Sequence, residues 1–282
     1  MNIMLWMLLM MVAFSVVFFL ALLIVLGSPS ATEPRFIKAM RFNMWAETLG
    51  MIGYGLLHPR LLAYRATKVE KKMAFPGDEL VPRANAGATY GITIEAPAER
   101  IWPWLLQMGY RRASWYSWSP MHALPEYQKD LSPWTIHPEW QSLKVGDVLM
   151  DGDALEQCSE NKGAWRVREV HDQRAIVLFS ARDFIEGIEF DPQLTRPKKI
   201  YGITGWVFYI RPINAEQSRL LIRVRAELGP ALLKIIAWLV FGTGDAVFER
   251  TILDGIKARV ENFEQLNSRE ERTSDARSAP VS

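Results

Sequence analysis

Nine tryptophans and tyrosines fall between Trp102 and Trp140, among them Trp102, Trp115, Tyr116 and Trp118. Such rings pair a large apolar area with a polar tip, so they can form the lip or lid of a cavity that closes over a greasy ligand. Ordinary core and loop packing, or a belt facing a membrane, uses the same residues. Arg111-Arg112 sits beside them; Arg112 would bind a carboxylate or phosphate, or merely keep a surface soluble. His137-Pro-Glu139 has the H-x-E spacing of zinc deaminases, but those need two cysteines as partners. The chain has one cysteine, Cys158. His137 is therefore read as a turn residue and a candidate polar contact for a ligand. The four histidines share no metal-binding spacing, so no metal is expected.

Other charged clusters offer less. Asp183, Glu186, Glu189 and Asp191 form an acidic loop, read as solvated or as a gate rather than as paired catalytic carboxylates. Arg219, Arg223 and Arg225 alternate with Leu220, Ile222 and Val224. They face solvent, or they enter an interior where Arg223 would meet a ligand anion. No phosphate loop, dinucleotide fingerprint or nucleophile elbow occurs, so no cofactor is expected and no catalytic residue is named.

These side chains need elements to hold them. Tyr90, Ile92 and Ile94 alternate with polar or small residues, which predicts a strand. A short helix follows through Ile101, Trp102, Leu105, Leu106 and Met108, with Pro97 in its first turn, Pro103 inside it and Gly109 at its end. Strands are predicted at 145–150, 165–170, 175–179, 205–211 and 219–227, the fourth carrying Trp206 and Phe208. A last helix is predicted over 245–266, where Phe248, Ile252, Ile256 and Val260 form one stripe. Arg250–Asp254 and Lys257–Glu261 are i,i+4 pairs on its polar side. This order is an α+β pattern: an antiparallel sheet with a long helix across it. The hollow between them is where a ligand would sit.

The N-terminal region differs in kind. Residues 3–26 carry no charge and no histidine. As a helix they would run about 36 Å, enough to cross a hydrocarbon core of about 30 Å. A cleaved secretory signal is the competing reading, although the run is long and no Lys or Arg precedes it. Arg35, Lys38 and Arg41 follow the run, which places that side in the cytoplasm. Residues 36–64 recur apolar at helical spacing. They either lie on the membrane, pack on the following domain or insert a second time. The domain reading is 1–34 anchor, 35–87 amphipathic helix and linker, 88–266 main domain and 267–282 disordered tail.

Particular strings carry a resemblance. They are Pro76-Gly-Asp-Glu-Leu-Val-Pro82, the run Ile94-Glu-Ala-Pro-Ala-Glu-Arg-Ile-Trp-Pro-Trp-Leu-Leu-Gln-Met-Gly109, Trp115-Tyr-Ser117, Ile136-His-Pro-Glu-Trp-Gln141, Val145-Gly-Asp147 and Phe248-Glu-Arg-Thr-Ile-Leu-Asp-Gly-Ile-Lys257. Together they resemble the SRPBCC superfamily, the START-like or Bet v 1-like helix-grip fold, and within it the bacterial polyketide cyclase/dehydrase and lipid-transport group. The resemblance covers residues 76–266. It implies a curved antiparallel sheet gripping the C-terminal helix around an apolar cavity. The fold hosts carriers and enzymes alike, so it does not decide function.

The expected role is therefore membrane-anchored binding, and transfer, of a lipid or other apolar small molecule. The cavity candidates are Trp102, Trp115, Tyr116, Trp118, Trp206, Phe208, Phe248 and Ile252, with Arg112, His137 and Arg223 as polar contacts. A cyclase/dehydrase-type enzyme is the first alternative, and a structural or partner-binding membrane protein the second. The expected partners are the small molecule and the bilayer. The formal net charge of +2 gives no field for nucleic acid.

Overall fold

The computed structural model describes residues 64, 66–110, 112–117, 134–150, 164–183, 189–194, 200–229, 246 and 248–262. The expected membrane span at 3–26, most of the amphipathic stretch 36–64, Trp118, Cys158 and the tail at 267–282 lie outside them. Among the described residues no helix is long and apolar enough to cross a membrane.

The described elements run in chain order as α1 (Lys68–Lys72), β1 (Ala86–Ile94), α2 (Ala98–Leu106), β2 (Val148–Met150), β3 (Ala164–His171), β4 (Ala175–Asp183), β5 (Tyr201–Pro212), β6 (Ser218–Gly229) and α3 (248–262). The strands form one six-stranded sheet ordered β1-β6-β5-β4-β3-β2, and every pairing is antiparallel. A register shift between Val167 and Glu169 marks a bulge in β3, and a bulge bends a strand and increases its twist. A six-stranded antiparallel sheet with a C-terminal helix against one face fits the α+β helix-grip arrangement.

The inner face carries the main core. Cross-strand rows run Tyr90, Ile222, Phe208, Ile176 and Ile92, Leu220, Ile210. Ile252, Leu253, Ile256 and Val260 of α3 and Ile101, Trp104 and Leu105 of α2 pack onto the same cluster. The polar stripe of α3 is as expected: Arg250 and Asp254 stand 3.7 Å apart and Lys257 and Glu261 2.6 Å apart. Lys257 Nζ also donates to the Thr93 carbonyl, and Glu261 accepts from the Glu95 amide, which fastens α3 to the end of β1.

The outer face departs from expectation. The segment read as a linker does not hang free. Phe75 packs with Val177, Val207, Tyr209 and Leu221, while Val81 packs with Phe179, Ala181 and Ile203. Arg219 and Arg223 lie on this face and are 9% and 6% exposed, so they are neither solvated nor inside the grip. Their charge is met by the covering segment. Glu70 accepts from Arg219 Nε at 2.8 Å and from Arg211 at 3.1 Å, and Asp78 accepts from Arg223 at 3.0 Å. Glu70 also closes a capping box on Thr67 at the start of α1. Burial would raise the Glu70 carboxyl, but the Arg219 hydrogen bond and the Thr67 amide outweigh it and hold it below the usual carboxylate range.

Candidate functional site

Trp206 of β5 is the hub of an aromatic cluster between sheet and helix. Its ring centroid lies 4.8 Å from Trp115, 5.0 Å from Trp165, 4.9 Å from Phe208 and 5.9 Å from Phe248 of α3. Trp206 is 2% exposed and Trp115 1%. Strand alternation explains the contributors from β5: residues 206 and 208 point to the same side. Trp165 joins from β3, where it pairs with Leu149.

Trp115 arrives from a loop, and the loop is strained. Ser114 and Tyr116, on either side of it, hold φ of 59° and 58°. Non-glycine residues avoid that left-handed region, and they persist there only where surrounding contacts impose it. Here the contacts are explicit. Gly109 and Ser114 exchange two backbone hydrogen bonds of 3.0 Å, and the Ala113 amide donates to the Gln107 carbonyl at 3.0 Å. Tyr116 Oη donates to the Trp104 carbonyl at 2.9 Å. Burial pushes the Tyr116 phenol above its usual range, so it stays a neutral donor.

The cluster has unmet hydrogen-bonding capacity. The indole Nε1 atoms of Trp115, Trp165 and Trp206 are all buried, and none has an acceptor among the described residues. Leaving a buried donor unmet costs about 1–3 kcal/mol, and native interiors leave few such groups. Three of them occur here in rings that touch.

Of the other expected site residues, Phe208 and Phe248 touch Trp206 in this cluster, while Trp102, Tyr116 and Ile252 are buried in the same core. Arg112 donates to the carbonyls of Leu106 and Trp140, binding α2 to a later loop, and burial lowers its guanidinium. His137 stacks on Trp140 at 4.3 Å, and its Nδ1 lies 3.1 Å from Glu139. Its backbone amide donates to the buried Gln107 side chain at 3.1 Å, and its carbonyl accepts from the Trp140 amide at 3.1 Å, which closes a turn. Arg223 lies on the opposite face of the sheet from the cluster, because residues 222 and 223 point to opposite sides. Its guanidinium sits 4.0 Å over the Phe75 ring. Glu189 of the acidic loop is held by Arg166 at 2.6 and 2.7 Å. Among the described residues no three His, Cys, Asp or Glu are grouped to hold a metal ion.

Helix α3 carries two buried charged residues, Glu249 and Arg259, that no catalytic or binding motif in the sequence marks. Arg259 of α3 is fully buried, stacks over Tyr116 and Trp134 at 4.8 and 4.5 Å, and donates to the Gly255 carbonyl at 3.0 Å. Burial lowers its guanidinium to about 10. Glu249, 2% exposed, shares the buried stripe of α3 with Leu253, Ile256 and Val260.

No family model matches the chain, and no curated protein matches it. Solved structures do. A conserved protein from Geobacillus kaustophilus is similar at 13% identity over 63% of this chain and 96% of that one, with a TM-score of 0.32. Truncated norcoclaurine synthase from Thalictrum flavum is similar at 14% identity over 60% and 91%, with a TM-score of 0.31. Protein Ms6760 from Mycobacterium smegmatis is similar at 12% identity over 61% and 88%, with a TM-score of 0.30.

Proposed function

We propose that this chain binds an apolar small molecule between its sheet and α3, and that residues 3–26 hold it at the cytoplasmic face of a bilayer from which the molecule is drawn. The supporting observation is the aromatic cluster around Trp206, with three indole donors unmet among the described residues. Apolar burial supplies the affinity, about 0.8 kcal/mol for each methylene removed from water. Such binding needs no catalytic group. Native mass spectrometry of the full chain released from detergent tests the reading. A one-to-one adduct with a lipid-sized mass is expected. Bare protein in every spectrum, with added lipids as well, would overturn it.

One observation favours a cyclase/dehydrase-type enzyme as the second reading. Glu249 is a buried carboxylate on the helix that closes the grip, and a carboxyl beside a bound substrate can serve as general acid or base. Turnover of an apolar polyketide-like substrate, abolished by Glu249→Gln, would support it.

A further inference from the structure

We infer that the ligand presents a neutral oxygen acceptor, a ketone or ester carbonyl, to the indole N–H groups of Trp115, Trp165 and Trp206. This rests on the binding reading above and adds the chemical class of the guest. The three nitrogens are buried and without acceptors among the described residues, and their rings are in mutual contact through Trp206. An indole nitrogen only donates, so the complementary group must accept. The strained backbone at Ser114 and Tyr116 is the second observation. Fixed by the Gly109–Ser114 backbone bonds, it delivers Trp115 against Trp206.

The surroundings decide between a carbonyl and an anion. Arg219 and Arg223 lie on the far face of the sheet, bound to Glu70 and Asp78. Arg112 donates through Nη2 to the Leu106 and Trp140 carbonyls, and of its buried nitrogens only Nε is unmet among the described residues. Arg166 is taken by Glu189. Among the described residues the rings that touch Trp206 are Trp115, Trp165, Phe208 and Phe248, and none of them carries a charge. A carboxylate buried among neutral donors would pay its full desolvation cost without a counter-charge. A carbonyl pays far less and gains the same hydrogen bonds.

The test uses the full chain in detergent with its indoles labelled with nitrogen-15. The chain has 11 tryptophans, so those outside the cluster report non-specific micelle effects. Trp→Phe substitution at each of the three positions assigns the signals. The probes are 2-undecanone, undecane and undecanoate. The ketone is expected to move the three indole proton signals downfield, as hydrogen bonding does, while the alkane moves them without that downfield change. Half-saturation by the ketone should come at a concentration about threefold to tenfold lower for each bond formed. Trp165→Phe should weaken ketone binding by about the same factor more than it weakens alkane binding. Equal response to ketone and alkane would overturn the carbonyl assignment while leaving apolar binding intact. Tighter binding of undecanoate would overturn it in favour of an anion. No response to any probe would overturn the binding reading itself.

Discussion

Gly255 of α3 lies against the Tyr116 backbone so closely that a Cβ at position 255 has no room beside the Tyr116 carbonyl oxygen. The helix that closes the grip and the strained loop that delivers Trp115 therefore meet backbone to side-chain-free backbone. Ser117 and Thr251 hydroxyls bond beside this contact, and Arg259 stacks on the Tyr116 ring one turn further along.

Gly255→Ala should therefore push α3 off the loop. Overpacking of this kind costs about 1–3 kcal/mol. Thermal unfolding should show a lower midpoint, and any ligand adduct in native spectra should fall with it. An unchanged midpoint would mean the contact is looser than described.

The outer clasp makes a separate prediction. Glu70→Gln leaves Arg219 buried without its carboxylate. Breaking one partner of a buried pair costs about 3–5 kcal/mol. Replacing both, as in Glu70→Leu with Arg219→Met, should recover much of that loss, because the desolvation of two charges is removed together. A denaturant series on the single and double variants measures the difference.

The same clasp sets a pH dependence. The Glu70 carboxyl is held below its unfolded value, mainly by Arg219 and Thr67 acting against burial. Its contribution is fully present above the unfolded value of about 4.3 and is lost as pH falls through the lowered folded value. The gap in unfolding midpoint between the native chain and Glu70→Gln should hold at neutral pH and close on acidification. A gap that widened in acid would contradict the pairing.

Much of the fold was legible in the residues, and the failures have physical causes. Strand β1 and the core stripe of α3 follow from period, because each buries one defined face. The Trp206–Phe208 pair follows from strand alternation. The covering segment was not legible. Phe75, Leu80 and Val81 carry no period, and Pro76 and Gly77 punctuate them, so the local pattern is that of a linker. What draws them in is the apolar outer face built by Val177, Val207 and Leu221, a property of the assembled sheet. Arg223 misled for the same reason: its strand looks half-solvated until Asp78 and the Thr89 hydroxyl are brought to it from elsewhere in the chain. Trp165 had a usable signal, since it alternates with Val167 on one strand face, but its contact with Trp206 depends on pairing across β4.

Photo-labelling tests the central claim most directly. The full chain, reconstituted in vesicles, is irradiated with a long-chain aliphatic diazirine, and the labelled peptides are mapped. The account predicts labels on the peptides that carry Trp206 and Phe248, reduced by competition with unlabelled apolar ligand. Labels confined to residues 3–26, with none on those peptides, would contradict it.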